Sequence, residues 1–562
     1  MRRITAIITA LLIVAHSAES QSRDDVIRLA ELGQVWGFLK YFHPGVARGT
    51  MNWDSALVAS VPIVRAGRSS ADYNAAIKSL LDAAGPVQKC GDAPATGKTA
   101  SQCVADGPDS ARKNVDFRWM TESKTLGADI VSQLEFVRKN RHMGSGRYIR
   151  FINTASFQPD TAFSTPEYPD EGVRLLALFR FWNAARYFFP YMYVNGGDWN
   201  AVLPEFIPRL IAARNAEEYH LTLFELSTRL NDAHVGVNSA VITSTLGGRF
   251  PSFESRSVEG HIVVWRLGRG TPPDPNGLKV GDVITHVDGE SVIDLRRRYT
   301  KFVAAGNASV LERKLVGYVV RGRGDSATYV VDRDGKSLTI RVAMTPRPTG
   351  TTPTPLPGYP VTELAKVLPG NIGYINMGDI NTQQVDSAIA IVKNTAGIVM
   401  DVRNYPRGTM YLFAMFFNPK SVPFVKFTSV DSTYPGQVVW TPPYMAGRPN
   451  GNPDHYRGRV AILVDERTQS HAEFSVMALR TSPENKVIGS QTAGADGNVT
   501  PFVLPGGVRT VFTGLGVYYP DGRPTQRIGI VPDIEVRPTL SGVRAGRDEV
   551  LERALEYIRN GR

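Results

Sequence analysis

An apolar strand pattern, Val460-Ala-Ile-Leu-Val464, runs through Asp465-Glu466-Arg467-Thr468-Gln469 into Ser470. A second apolar stretch, Phe474 to Leu479, follows at once. A serine at such a strand-to-helix turn sits where backbone N–H groups lack partners and the helix dipole is positive. Both conditions favour an alkoxide and the oxyanion of acyl transfer, so Ser470 is the candidate nucleophile. The same residues also have a structural reading. Ser470-x-x-Glu473 is a capping box, which contributes about 1 kcal/mol to a helix and no chemistry. Taken alone, the motif reads first as a cap.

A serine nucleophile needs a base, and one candidate lies far upstream, at the end of an internal duplication. Residues 28–44 (RLAELGQVWGFLKYFHP) match residues 174–190 (RLLALFRFWNAARYFFP). Trp36 pairs with Trp182, Tyr41 with Tyr187, Pro44 with Pro190, Trp53 with Trp199 and Tyr73 with Tyr219, always 146 residues apart. Apolar residues recur at helical spacing (Leu29, Leu32, Trp36, Leu39), so each copy reads as a small helical unit. Two copies at so long a period suggest paired helical subdomains rather than a solenoid. The Trp and Tyr positions read as core. The second copy runs on into Leu230-Asn231-Asp232-Ala233-His234-Val235-Gly236-Val237, whereas the first reaches Gly85-Pro86 and has no histidine there. Neutral imidazole can accept a serine proton and return it to a leaving amine. The bland alternative for His234 is a hydrogen-bonded core histidine.

The elements that must position these residues change character along the chain. From about 240 to 347 the sequence is β-rich, with runs such as His261-Ile-Val-Val-Trp265 and Leu338-Thr-Ile-Arg-Val342. Between them, Gly277-Leu278-Lys279-Val280-Gly281-Asp282-Val283-Ile284-Thr285-His286-Val287-Asp288-Gly289 reads as turn, strand and Asp-Gly turn. That stretch resembles the PDZ signature G-L-x-x-G-D-x-I-x-x-[VI]-x-G, and PDZ domains add extended peptide ends to a sheet edge. A Pro/Thr-rich stretch near 346–360 reads as a stiff linker. From 361 onward, short strands (Ile372–Ile375, Gly397–Met400, Val460–Val464, Val487–Gly489) alternate with helical patterns, which argues for a parallel α/β layer.

Composition bounds the function. The 562 residues are too many for one domain, and 21% charged with 42% hydrophobic residues is an ordinary globular balance. Arg2 and Arg3, the apolar run Ile4–Ala15 and the small-x-small site Ala18-Glu19-Ser20 form the three-part pattern of a secretory signal peptide. It is too short for a membrane anchor, and no later stretch approaches the roughly 18 apolar residues of a span. Export permits a disulfide between Cys90 and Cys103, with a contribution on the order of 3 kcal/mol. Two cysteines without clustered histidines make a poor metal site, and the sequence calls for no metal or cofactor. The formal net charge of +11 is spread without a basic run interleaved with aromatics, so nucleic acid is not the expected partner.

In its ordered context the Ser470 segment resembles the T-x-S-[AS]-x-E nucleophile motif of the tail-specific (C-terminal-processing) serine proteases and the related tricorn core protease. Asp401-Val-Arg-Asn404 with Pro406 and Gly408 resembles that family's D-x-R-x-N-x-G-G turn. Thr492-Ala493-Gly494 resembles its T-x-G, and Gly529-Ile530-Val531-Pro532-Asp533 its G-[VI]-x-P-D. The resemblance covers about residues 230 to 540. It implies a crotonase/ClpP-like α/β catalytic core carrying an inserted PDZ-like β domain, here behind the duplicated helical region. Processing proteases of the bacterial type take a lysine from T-x-G-K-G. No lysine occurs here after Lys486, so a Ser–Lys dyad at that place is excluded. The tricorn-like branch takes a histidine from L-x-[DG]-x-H, which Leu230-x-Asp232-x-His234 fits.

The same resemblance marks three departures. Gln526 stands where that branch has a glutamate; its carbonyl could orient the imidazole but carries no charge. Asp496 and Asp521 are alternative orienters, and the sequence leaves the choice open. Ala233 replaces a serine before the histidine, and Arg407 replaces the first glycine of the Gly-Gly pair. The oxyanion hole is expected from the backbone N–H groups of Gly408 and His471.

The expected organisation is a signal peptide (1–20), a helical region with the first copy and the cysteine insert (21–170), and a second copy ending in the histidine motif (171–238). A PDZ-like domain (239–347), a linker (348–360) and the catalytic core (361–562) follow. The expected protein is a periplasmic or secreted serine endopeptidase acting on unstructured polypeptide, engaged through its C-terminus at the PDZ-like domain. Oligomeric state stays open. The alternative is a non-catalytic ligand- or peptide-binding protein on the same scaffold, like the interphotoreceptor retinoid-binding modules.

Overall fold

The chain opens on two copies of one helical unit. Helix α1 covers residues 23–42, followed by α2 (Trp53–Ala66) and α3 (Ser70–Ala84). In the second copy stand α4 (Glu171–Phe188), α5 (Val202–Ala212) and α6 (Ala216–Thr228). The likeness extends to local chemistry. Ser69 and Asn215, equivalent positions, each accept a backbone N–H as the cap of the third helix, and Pro62 and Pro208 sit inside the second helices. The indole of Trp36 donates to the carbonyl of Trp53 at 2.9 Å and Trp53 donates back at 2.9 Å. Trp182 and Trp199 repeat the exchange at 2.8 and 3.1 Å. A buried indole N–H needs an acceptor, and the pairing supplies both at once.

The copies face each other through equivalent residues. A side chain on Gly33 would meet the Phe179 ring at 2.4 Å, and one on Gly37 would meet Asn183 at 2.0 Å. The Asn183 amide donates to the Gly33 carbonyl at 3.0 Å. Tyr41 packs on Phe188 (4.9 Å between centroids) and Phe42 on Tyr187 (5.5 Å), which are mirrored pairs. Equivalent positions meeting reciprocally define a pseudo-twofold axis between α1 and α4.

The structure, a computed structural model, describes residues 23–92, 103, 106–152, 154–157, 165–268, 277–346 and 365–561. The signal peptide expected at 1–20 and the linker expected at 348–360 lie outside them. Cys90 and Cys103 are joined in a disulfide.

After α6 the short strand β1 (Gly236–Asn238) leads into an antiparallel sheet. Six of its seven strands are β2 (Arg249–Pro251), β3 (Phe253–Val258), β4 (His261–Leu267), β5 (Val283–Val287), β6 (Ser326–Arg333) and β7 (Lys336–Pro346), in the order β2-β7-β6-β5-β4-β3, and the two-residue strand Glu290–Ser291 pairs with β5. Asp288 and Gly289 turn the chain after β5 with φ of +47° and +84°, backbone values that an Asp-Gly pair tolerates best. Helix α7 (Ala308–Val319) packs on this sheet through Val316 and Val319.

The C-terminal region is built on a sheet of β8 (Ala365–Leu368), β9 (Ile372–Asn376), β10 (Gly397–Asp401), β11 (Arg459–Val464), β12 (Asn485–Gly489) and β15 (Ile534–Glu535), in that spatial order. All neighbours except β8 and β9 are parallel. Alternate residues feed two cores: Ile398, Met400, Ile462 and Val464 on one face, Val399, Ala461, Leu463 and Ile488 on the other. Helix α8 (His471–Leu479) covers the first face, and the C-terminal helix α9 (Glu549–Asn560) covers the second. Burial on both faces is why these strands read as continuous apolar runs.

A hairpin, β13 (Val499–Leu504) and β14 (Val508–Thr513), reaches back from this region. β14 pairs antiparallel with β1, while Phe502 and Phe512 enter the core of the helical copies. Two stretches more than 260 residues apart thereby share one small sheet. Among the described residues no helix is long and apolar enough to cross a membrane.

Candidate active site

Ser470 sits where β11 ends and α8 begins, with φ +59° and ψ −128°. A non-glycine residue at positive φ is strained by on the order of 1–3 kcal/mol and persists only when its surroundings over-determine it. Its N–H donates to the Ala495 carbonyl at 2.8 Å and to Glu473 Oε2 at 3.2 Å, and its carbonyl accepts from Phe474 N at 3.1 Å. Glu473 is the centre of this support. Fully buried, it also accepts from the Thr492 hydroxyl, from Gly494 N at 2.8 Å and from Ala495 N at 3.0 Å. Burial pushes its pKa up, and those hydrogen bonds oppose the rise. The glutamate half of the capping box is thus formed, and the same glutamate fastens the Thr492-Ala493-Gly494 segment to the serine turn. Ile530 N in turn donates to Thr492 Oγ1 at 2.7 Å, which brings in the Gly529–Asp533 segment.

The turn after β10 approaches from the other side. Thr468 Oγ1 donates to the Val402 carbonyl at 3.2 Å, and the Tyr405 ring lies 6.1 Å from that of His471. Gly408 has φ +77°, which favours glycine, and nothing lies within 4 Å of where a Cβ would stand. Among the described residues the N–H groups of Gly408 and His471 have no hydrogen-bond acceptor.

His234 follows a sharp bend at Asn231 (φ +48°) and precedes β1. Its Nδ1 lies 2.8 Å from Thr513 Oγ1, and that hydroxyl donates its single proton to Asp232 Oδ1 at 3.0 Å. The threonine oxygen is then an acceptor towards the ring, so Nδ1 carries the imidazole proton and the Nε2 lone pair is free. Asp232 is completely buried and accepts three further donors: His234 N at 3.0 Å, Thr513 N at 2.7 Å and Gln526 Nε2 at 3.2 Å. Burial lowers the His234 pKa and the Lys314 and Arg313 charges add to that, against the opposing pull of Asp232. The result is a neutral, oriented imidazole.

The histidine loop and the serine turn touch. Ala233 packs on Ala493, Ala495 and Val310, and Gln469 Nε2 approaches the Ala233 carbonyl at 3.4 Å. The residue before each catalytic candidate thus meets the other's neighbourhood.

Three assignments from sequence change role. Gln526 is buried beside the site, yet its amide donates to Asp232 rather than to the ring, because Thr513 already occupies Nδ1. Asp496 is buried behind the serine turn, where burial and the neighbouring Glu473 raise its pKa well above the carboxylate range, and it accepts from Gly497 N at 2.7 Å. Asp521 lies in an exposed turn and pairs with Arg523 at 2.7 Å. The orienting group is instead the Thr513–Asp232 pair. The Asp-x-His spacing marked Asp232, but Thr513 joins it only through the β1–β14 pairing, which has no local sequence signal.

Residues 371–536 match the model of peptidase family S41. The mixed α/β fold and this match define a serine peptidase. The matched segment runs from β9 to β15 and contains the Ser470 turn, so the likeness to peptidase family S41 falls on the part of the chain that holds the candidate nucleophile. Mature CPAF complexed with lactacystin is similar in structure at 15% identity, over 70% of this chain and 99% of that one, with a TM-score of 0.54. Mature CPAF alone gives 15% identity, 70% and 98% coverage and a TM-score of 0.52. The photosystem II D1 C-terminal processing protease gives 19%, 66% and 96%, with a TM-score of 0.38. At these identities the two CPAF structures speak for the fold alone. Comparison with curated proteins gave no sequence match.

Proposed function

We propose that the protein is an exported serine endopeptidase that cleaves unstructured polypeptide through an acyl-enzyme. His234 Nε2 takes the Ser470 hydroxyl proton as Oγ attacks the scissile carbonyl carbon. The carbonyl oxygen becomes an oxyanion facing the N–H groups of Gly408 and His471. Collapse breaks the C–N bond, and the imidazolium gives its proton to the departing amine. Water, deprotonated by the same imidazole, then attacks the ester carbon; the C–O bond to Oγ breaks, the imidazolium returns its proton to Ser470, and the acid departs. Asp232 acts on the ring through Thr513, a hydroxyl-bridged version of the usual acid–imidazole contact.

The observation that carries this reading is the His234–Thr513–Asp232 chain, which spends the Nδ1 proton and leaves Nε2 free to serve a strained serine. The sheet of β2 to β7 is read as PDZ-like, with β3 at its edge available to an added peptide strand. The test is turnover of an unstructured polypeptide by the full chain, followed by mass spectrometry. Internal cleavage lost in Ser470→Ala supports the proposal; equal cleavage by both proteins rejects it.

A further inference from the structure

Helix α7 belongs to the antiparallel sheet, yet its polar residues point at the catalytic candidates. Arg313 donates to the Glu466 carbonyl at 3.0 Å and to Gln469 Oε1 at 2.7 Å, within the turn that ends at Ser470. Asn307, its cap, donates to the Thr492 and Arg527 carbonyls at 2.9 and 3.1 Å. Lys314 Nζ donates to the Ala233 carbonyl at 2.7 Å and to the Ala304 carbonyl at 2.8 Å. The mechanism above uses none of these side chains.

We propose that Lys314 is a positioning residue for His234, clamping the Ala233 carbonyl against the 304 turn so that the imidazole of the next residue is held at the serine. The proposal rests on the serine-peptidase reading of this site. The Ala233–His234 peptide is the last rigid link before the ring. On its other side Asp232 is fastened by Thr513 and Gln526, so Lys314 completes a two-sided grip. The clamp needs two N–H donors, which both the ammonium and the neutral amine possess.

Lys314 also has an electrostatic part. Its charge disfavours imidazolium, which adds to the burial that lowers His234. The charged and titratable groups acting on it are Asp232 and His234 on the loop and Arg313 on its own helix, while Arg527 bonds the Gly306 carbonyl at 3.4 Å in the turn before that helix. Burial first, and then Arg313, push Lys314 itself down to about 7, while Asp232 opposes.

The experiment uses the full chain with Lys314→Met, Lys314→Gln and Lys314→Arg, and follows kcat, KM and the pH profile of kcat/KM on an unstructured fluorogenic peptide. Lys314→Met should lower kcat about 10–100-fold with KM changed less than about threefold, the scale of a small misplacement of a catalytic group. Its acid limb should move to higher pH, because removing a positive neighbour raises the imidazole pKa. Lys314→Gln keeps a donor without the charge, so the limb should move while part of kcat returns. Lys314→Arg keeps the charge, so the limb should stay. If Lys314→Met does not fold, the Gln and Arg chains decide: the same limb in both overturns the proposal. Wild-type kcat and limb in Lys314→Met overturn it as well. Labelling of wild-type Ser470 by a fluorophosphonate separates the two readings. Without labelling the peptidase reading fails, and NMR titration of His234 in wild type and Lys314→Gln then decides whether Lys314 acts on the imidazole.

Discussion

The two helical copies keep the same tryptophan exchange and differ in what they do with charge and with their last residues. In the first copy Lys40 and Asp54 are buried with Arg180 of the second, and both cations bond the one carboxylate. At the equivalent places stand Arg186, Asn200 and Gln34, where Gln34 meets Asn200 as a neutral pair at 3.5 Å. The first copy then stops at Gly85, whereas the second continues through Asp232 and His234 into β1 and the catalytic region's hairpin. A scaffold used twice is held by one core that both copies share. The candidate site forms where one copy is extended and recruits partners from distant segments.

That contrast can be broken most sharply at the ends of the copies. His234→Ala should cost roughly 10²–10⁴-fold in kcat, the size of a lost general base. Pro86→Ala, at the end of the first copy, should leave kcat nearly unchanged; steady-state kinetics on both variants checks the pair. A loss of similar size in both would mean that the end of the helical unit matters only for folding.

The charged cluster gives the next effect. Asp54→Asn leaves two buried cations without their shared carboxylate and should cost about 3–5 kcal/mol in denaturant unfolding. Asn200→Ala, at the equivalent neutral position, should cost about 1 kcal/mol. Similar values would show that the copies are stabilised alike despite their charges.

Thr513→Val keeps shape and removes the hydroxyl that relays Asp232 to the ring. It should lower kcat about 10-fold or more, with the melting temperature shifted by a few degrees, measured by kinetics and thermal unfolding. The acid limb of kcat/KM in the wild type should lie below the ordinary histidine value of about 6.5. His234 is depressed by burial and by Lys314, so the base form persists to lower pH and activity rises with pH through that lowered pKa. A limb above the ordinary value would contradict the burial of the ring.

Much of this was legible before the structure. The strand runs at 372–376, 397–401, 459–464 and 485–489 show because burial on both faces leaves no polar alternation to blur them. The duplication shows because its Trp and Tyr residues each fill a fixed core position. Ser470, Gly408 and His471 are carried by local motifs. Thr513 and Lys314 are not, since each reaches the histidine loop across a contact set by tertiary packing: strand pairing for one, helix docking for the other. Glu473 could be read locally as a cap, but its bonds to Gly494 and Ala495 depend on a loop some 20 residues on. The donation of Gln526 to Asp232 has no local signal either, because nothing near it in sequence says that Thr513 stands at the ring.

The central claim is that Ser470 is an activated nucleophile served by the extended second copy. The most direct test is covalent labelling of the full chain by a fluorophosphonate, with the modified residue located by mass spectrometry. The account predicts label on Ser470 in wild type and in Pro86→Ala, strong slowing in His234→Ala, and none in Ser470→Ala. A folded wild-type chain that takes no label would contradict it and leave a binding protein on a peptidase scaffold.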